Sequence, residues 1–163
     1  MQVIRNRKIV EDAFVHVAAD AEVPAQGDII VGLDRYRELR GALSHRAGKV
    51  GVRLKSNEEA KLVAEFLKEL AVVAIEFPGF KDGRGYSTAR ILRDRYGYKG
   101  DLRAVGDVLR DQLFYMERCG FTTFELKAGK DIQGAVKAFA EFSVTYQGAV
   151  DDPRPLFRRR SQS

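Results

Sequence analysis

Cysteine is almost absent: Cys119 stands alone in a chain of 163 residues. A lone thiol excludes an intrachain disulfide and a self-contained four-thiolate cluster, so any iron–sulfur chemistry belongs to a partner. Histidine occurs twice, at His16 and His45, and tryptophan not at all. His16 falls in a short strand and His45 at a helix end, outside the candidate rim described below, which leaves no histidine cluster for a metal or for histidine catalysis. No apolar run approaches the roughly 20 residues that a membrane span requires, so no membrane association is expected. The opening MQVIRNRKIVED has early basic residues but no apolar stretch of signal-peptide length, and a cytoplasmic location is the matching expectation. Neither G-x-G-x-x-G nor G-x-x-x-x-G-K-[ST] occurs, so no nucleotide cofactor is called for, and no other cofactor motif replaces it.

What is present is an ordinary globular composition, 45% hydrophobic and 31% charged, with a formal charge of +5. Acids are interleaved with the basic residues, as in Glu58-Glu59-Ala60-Lys61 and Arg93-Asp94-Arg95, and only Arg158-Arg159-Arg160 concentrates one sign. Without a recognition motif this charge does not point to nucleic acid; small anions or an acidic protein partner match it better. The length suits one domain, here residues 1–150, followed by a Pro- and Arg-containing extended tail over 151–163.

Residues 1–23 alternate weakly, at Val3, Ile4, Ile9 and Val10 and then Phe14-Val15-His16-Val17-Ala18, and predict two short strands in a hairpin. From residue 28 a rhythm sets in. Strands are predicted over 28–33, 50–54, 72–77, 101–105 and 121–126, each followed by an amphipathic helical stretch. The expected caps are Asp34, Ser56 (a capping box with Glu59), Ser87, Asp107 and Asp131, and residues 143–147 read as a last short strand. About five βα units imply an α/β fold with a parallel sheet, because parallel strands need helical crossovers. Two closures compete, a partial (β/α)-barrel-like arc and an open doubly wound sheet; the arc has too few units to close and would leave strand edges uncovered, which predicts a homodimer.

The connection from Phe77 to Ser87 is longer than the roughly 2 to 6 residues usual between strand and helix, and it is rich in glycine and charge. Ligands of parallel α/β sheets bind beyond the carboxyl ends of the strands, where helix starts offer free N–H groups. That rule gathers Arg53, Glu76, Asp82, Arg84, Arg90, Arg103, Asp107 and Asp111 near one rim, with Lys55, Lys81 and Lys127. Gly83 and Gly85 around Arg84 would let the backbone approach a ligand or take positive φ, and Tyr86 and Ser87 complete the candidate anion seat. Asp82, Asp107 and Asp111 are the candidate acid/base groups, the last two being four residues apart and so on one helical face. The competing structural role is mutual pairing, Arg103 with Asp107 for example.

The stretch 77–121 also carries a resemblance. Phe77-Pro78, Asp82-Gly83-Arg84-Gly85-Tyr86-Ser87, Ala89-Arg90, Leu92-Arg93, Gly97-Tyr98, Leu102-Arg103-Ala104, Gly106-Asp107-Val108, Asp111-Gln112 and Gly120-Phe121 resemble a bacterial domain-of-unknown-function family described as oxidoreductases of sulfite reduction. The resemblance implies a part in sulfur assimilation beside sulfite reductase. Since the chain has no electron-carrier motif, the expectation is an accessory protein that binds a small oxyanion or docks to the reductase. The alternative is a stand-alone enzyme using aspartate acid/base chemistry on a phosphorylated or sulfonated small molecule.

Overall fold

A computed structural model describes residues 1–79 and 82–151, with side chains through Glu141. The expected tail, apart from its first residue, and the Phe80-Lys81 step lie outside these residues. The elements are β1 (Gln2–Arg5), β2 (Lys8–Glu11), β3 (Val15–His16), β4 (Ile29–Gly32), α1 (Leu33–Leu43), β5 (Val50–Leu54), β6 (Val72–Phe77), α2 (Arg84–Asp94), β7 (Asp101–Gly106), α3 (Leu113–Cys119), β8 (Thr123–Phe124) and α4 (Ile132–Asp151). An N-terminal hairpin is present, but it lies wholly within residues 2–11 as β1 and β2, turning through Asn6 and Arg7 at positive φ, whereas Val15–His16 pairs in parallel with β4. Residues 143–147 are not a strand but part of α4.

One sheet of eight strands runs in the order β2-β1-β8-β7-β6-β5-β4-β3. Strands β3 to β8 are parallel, and β1 returns antiparallel to β8. The parallel strands keep chain order without reversal, and right-handed crossovers then place every helix on one face. This selects the barrel-like arc over the doubly wound sheet. The helix-bearing face packs Val31, Val52, Val73, Ile75, Leu102, Ala104 and Phe124 against Tyr36, Phe66, Leu92, Met116 and Phe139.

The opposite face is concave. Flat strands spaced about 4.8 Å apart would put β3 roughly 24 Å from β8, yet His16 on β3 is hydrogen-bonded at 2.9 Å to Glu125, just past β8. Residues 12–14 also join β2 at one edge of the sheet to β3 at the other, and four Cα steps reach at most about 14 Å. The sheet therefore curls into a half-barrel, and residues 12–16 form a strap across its open side.

Several local expectations are corrected. Helix α1 starts at Leu33, so Asp34 lies in its first turn rather than at its cap. The helix expected after Ser56 is two short 3-10 turns, Ala60–Leu62 and Ala64–Glu69; such turns rise about 2.0 Å per residue instead of 1.5, and carry the chain farther between β5 and β6. The helix expected from Asp107 begins only at Leu113, after a 3-10 turn over Arg110–Gln112.

Candidate functional site

The pleat sends alternate residues of each strand to the concave face. The register aligns Arg53, Ala74, Arg103, Thr123 and Arg5 across β5, β6, β7, β8 and β1, so three arginines share one row inside the half-barrel. Arg103 is wholly buried. Its two terminal nitrogens donate to both oxygens of Asp12 on the strap at 2.7 and 2.9 Å. Arg5 donates to Asp12 at 3.3 Å and to Thr123 Oγ1 at 3.1 Å. Asp101 lies 3.6 Å from both arginines, and the Phe14 ring covers the Arg103 guanidinium at 5.3 Å. Burial pushes the Asp12 carboxyl up, but Arg103 and Arg5 outweigh it and hold the group below the usual carboxylate range.

His16 belongs to the same interior, contrary to the expectation that it sits apart. Its Nδ1 lies 3.3 Å from Arg53 Nη1, and its Nε2 lies 2.9 Å from Glu125 Oε2. A guanidinium only donates, so Nδ1 accepts and the proton sits on Nε2, donated to Glu125. Glu125 also receives Arg103 Nη1 at 3.4 Å. Burial raises the Glu125 carboxyl, while His16 and Arg103 lower it further, leaving it ionised. The signal that could have placed these residues is the alternation Asp12, Phe14, His16, one side of an extended strap. Its destination, an edge seven strands away, is invisible to periodicity.

Beyond the carboxyl ends of β7 and β8 lies a cleft of about 400 Å³ lined by Gln2, Gly106, Glu125, Lys127 and Lys130, with the start of α4 beside it. Among the described residues Lys127 and Lys130 have no ion-pair partner. Gly106, at φ +88°, turns the chain here, and an added Cβ would meet the Phe77 carbonyl oxygen at 2.6 Å.

Residues 51–157 match the model of a family described as a bacterial protein of unknown function (DUF934). The chain belongs to this family. No curated protein matches it. The matched span of this DUF934 chain contains Arg53, Arg103, Glu125 and both cleft lysines, whereas Asp12, Phe14 and His16 precede it.

The residues singled out in the sequence separate into distinct places. Arg53 and Glu76 lie 3.9 Å apart on the concave face, where Arg103 is buried; its closest carboxylate is Asp12, not the suggested Asp107. Arg84 and Asp82 pair with each other at the start of α2, Arg84 also reaching Ser56 Oγ at 3.1 Å. Asp82 Oδ1 further accepts the Arg84 N–H at 3.1 Å, and these bonds hold the Asp82 carboxyl far below its ordinary range. The seat expected for an external anion is thus filled by the chain's own carboxylate.

Gly83 and Gly85 both have ordinary φ. Gly85 is a packing glycine, since an added Cβ would stand 2.6 Å from the Phe77 ring. Tyr86 packs on Phe77 and on Tyr115, at 5.2 and 4.9 Å between centroids. Ser87 is exposed within α2, three residues past its first, and does not cap it. Arg90 Nε approaches Cys119 Sγ at 3.5 Å. Asp107 donates its N–H to the Phe77 carbonyl at 2.6 Å, and Asp111 is 89% exposed beside Arg110. With α3 beginning at Leu113, the two do not share the helical face expected of them. Among the described residues no helix is long and apolar enough to cross a membrane, and no group of three or more His, Cys, Asp or Glu could hold a metal ion.

Proposed function

We propose that this protein holds a small oxyanion in the cleft beyond β7 and β8 and serves sulfite reduction as an accessory to the reductase that carries the cofactors. One observation carries the oxyanion part. Arg53, Arg84 and Arg103 each have a carboxylate within ion-pair distance, whereas Lys127 and Lys130 border an open cleft with no such partner among the described residues. Two unpaired ammonium groups bordering one cleft attract oxyanions through charge and their own N–H donors together. The sulfite part rests on the family resemblance of residues 77–121. The homodimer belongs to the same proposal: β3 leaves an outer edge with Val15 55% exposed, and analytical ultracentrifugation measures the stoichiometry.

The test is calorimetric titration of sulfite, phosphate and sulfate, joined to co-purification with sulfite reductase. Replacing Lys127 and Lys130 together by alanine is expected to weaken anion binding by roughly tenfold or more, the scale of one or two lost charge-assisted hydrogen bonds. Arg84→Ala should leave the affinity unchanged. If the wild-type chain binds no anion and retains no reductase, the proposal fails.

A second function, acid/base catalysis on a phosphorylated or sulfonated small molecule, is favoured by the fixed tautomer of His16 against Glu125. It requires turnover in a metabolite screen that His16→Gln abolishes. Loss in Asp107→Asn instead would return the role to the aspartates.

A further inference from the structure

The cleft that the oxyanion proposal uses also contains a carboxylate. We propose that Glu125 makes this cleft selective for oxyanions that retain a proton, such as hydrogensulfite or hydrogenphosphate, over fully ionised ones such as sulfate. This selectivity rests on the oxyanion function argued above and adds to it the class of anion accepted.

Glu125 lines the cleft together with Lys127 and Lys130, and its side chain is 12% exposed. It is not free to turn aside and pair with a lysine. Oε2 receives His16 Nε2 at 2.9 Å and Arg103 Nη1 at 3.4 Å. His16 cannot exchange its roles, because the Arg53 guanidinium, which only donates, stands 3.3 Å from Nδ1. Arg103 cannot withdraw either, being buried and held by both oxygens of Asp12. The strap and the sheet interior thus fix one ionised, acceptor-only group at the wall of an otherwise cationic cleft.

The consequence is chemical. The lysines attract negative charge without regard to its protonation. Any oxyanion they draw in meets the Glu125 carboxylate, and a ligand with acceptors alone then sets oxygen lone pairs against oxygen lone pairs. A ligand with a hydroxyl donates it to Glu125 in a charge-assisted O–H···O bond. Sites that hydrogen-bond a ligand hydroxyl reject analogues lacking it far more strongly than apolar pockets reject a missing methylene. At neutral pH all of the phosphate and part of the sulfite carry such a proton, and sulfate carries none.

Titration calorimetry at neutral pH with phosphate, sulfite and sulfate tests this on the full chain. Phosphate and sulfite are expected to bind at least roughly tenfold more tightly than sulfate. In Glu125→Gln the gap should close, because the amide offers sulfate a donor while its carbonyl still accepts from His16. Dimethyl phosphate, singly charged but without a hydroxyl, provides a measurement that needs no variant: it must bind as weakly as sulfate. Equal wild-type affinities for sulfate and phosphate overturn the selectivity and leave the oxyanion function standing. If none of the anions binds, both fall together.

Discussion

At the scale of the residue, Arg103 decides most. A buried cation is tolerated only while its hydrogen-bonding partners are in place, and the closest of these, Asp12, lies 91 positions away in the chain. Removing that partner takes away both of the shortest bonds and leaves the buried charge with only Glu125 at 3.4 Å and Asp101 at 3.6 Å. Asp12→Ala is therefore expected to lower unfolding free energy by about 3 to 5 kcal/mol in urea titration. Asp12→Leu combined with Arg103→Met should recover part of the loss, because an apolar pair of similar volume needs no compensation. A double variant no more stable than Asp12→Ala would show that Arg103 is tied chiefly to Asp101 and Glu125 instead. The sequence gathered Arg103 only as one residue of the candidate rim, and mutual pairing was legible as an alternative to ligand binding. The partner was not, since nothing local links residue 12 to residue 103.

At the scale of the element, the connection from β6 to α2 shows how one sequence feature serves a purpose other than the one it suggests. Gly83-Arg84-Gly85 has the look of a ligand loop, but α2 begins at Arg84 and lies so close to β6 that Gly85 faces Phe77 and Ile75 with no room for a methyl group. Gly85→Ala should destabilise by about 1 to 3 kcal/mol despite the better helix propensity of alanine, the overpacking term exceeding the propensity gain. Gly83→Ala, whose nearest atom lies at 3.9 Å, should stay within about 0.5 kcal/mol of wild type. Thermal or chemical unfolding of the two variants reads the difference directly, and equal effects would remove the close-approach explanation.

The same element explains why some boundaries were legible and others not. Asp131 acts as expected, accepting the Gly134 N–H at 3.0 Å one turn into α4. Ser87 does not cap α2, because Asp82 lies closer to the first turn and accepts the Arg84 N–H with a charged oxygen. Parallel pairing followed from the βα rhythm, whereas the strand order and the curl follow from contacts between distant segments, which no window of local sequence contains.

At the scale of the whole molecule, the half-barrel is held by two unlike materials. The helix-bearing face is mainly apolar, with Glu69 bonded to Tyr36 and Arg40 as its own acid-sensitive tie, whereas the strap is tied to the concave face by Asp12 and Glu125. Both carboxyls titrate below their ordinary range in the folded chain, Asp12 through Arg103 and Arg5, Glu125 through His16 and Arg103, in each case against burial. A carboxyl whose folded pKa is depressed contributes stability that is fully present above its unfolded value, near pH 4, and lost as pH falls through the lower folded value. Acid should therefore release the strap before it melts the helix-packed face. The amides of Val15 and Val17, which donate to Asp28 and Ile30, report the edge that the strap delivers, and those of Val73 and Leu102 report the centre of the sheet. In an NMR titration from pH 7 downward, the Val15 and Val17 signals are expected to move first, below about pH 4, while Val73 and Leu102 hold their positions. Loss of all four together would mean that the polar ties and the apolar face unfold as one unit. Unchanged Val15 and Val17 signals below pH 3 would mean that parallel pairing with β4 alone holds the edge.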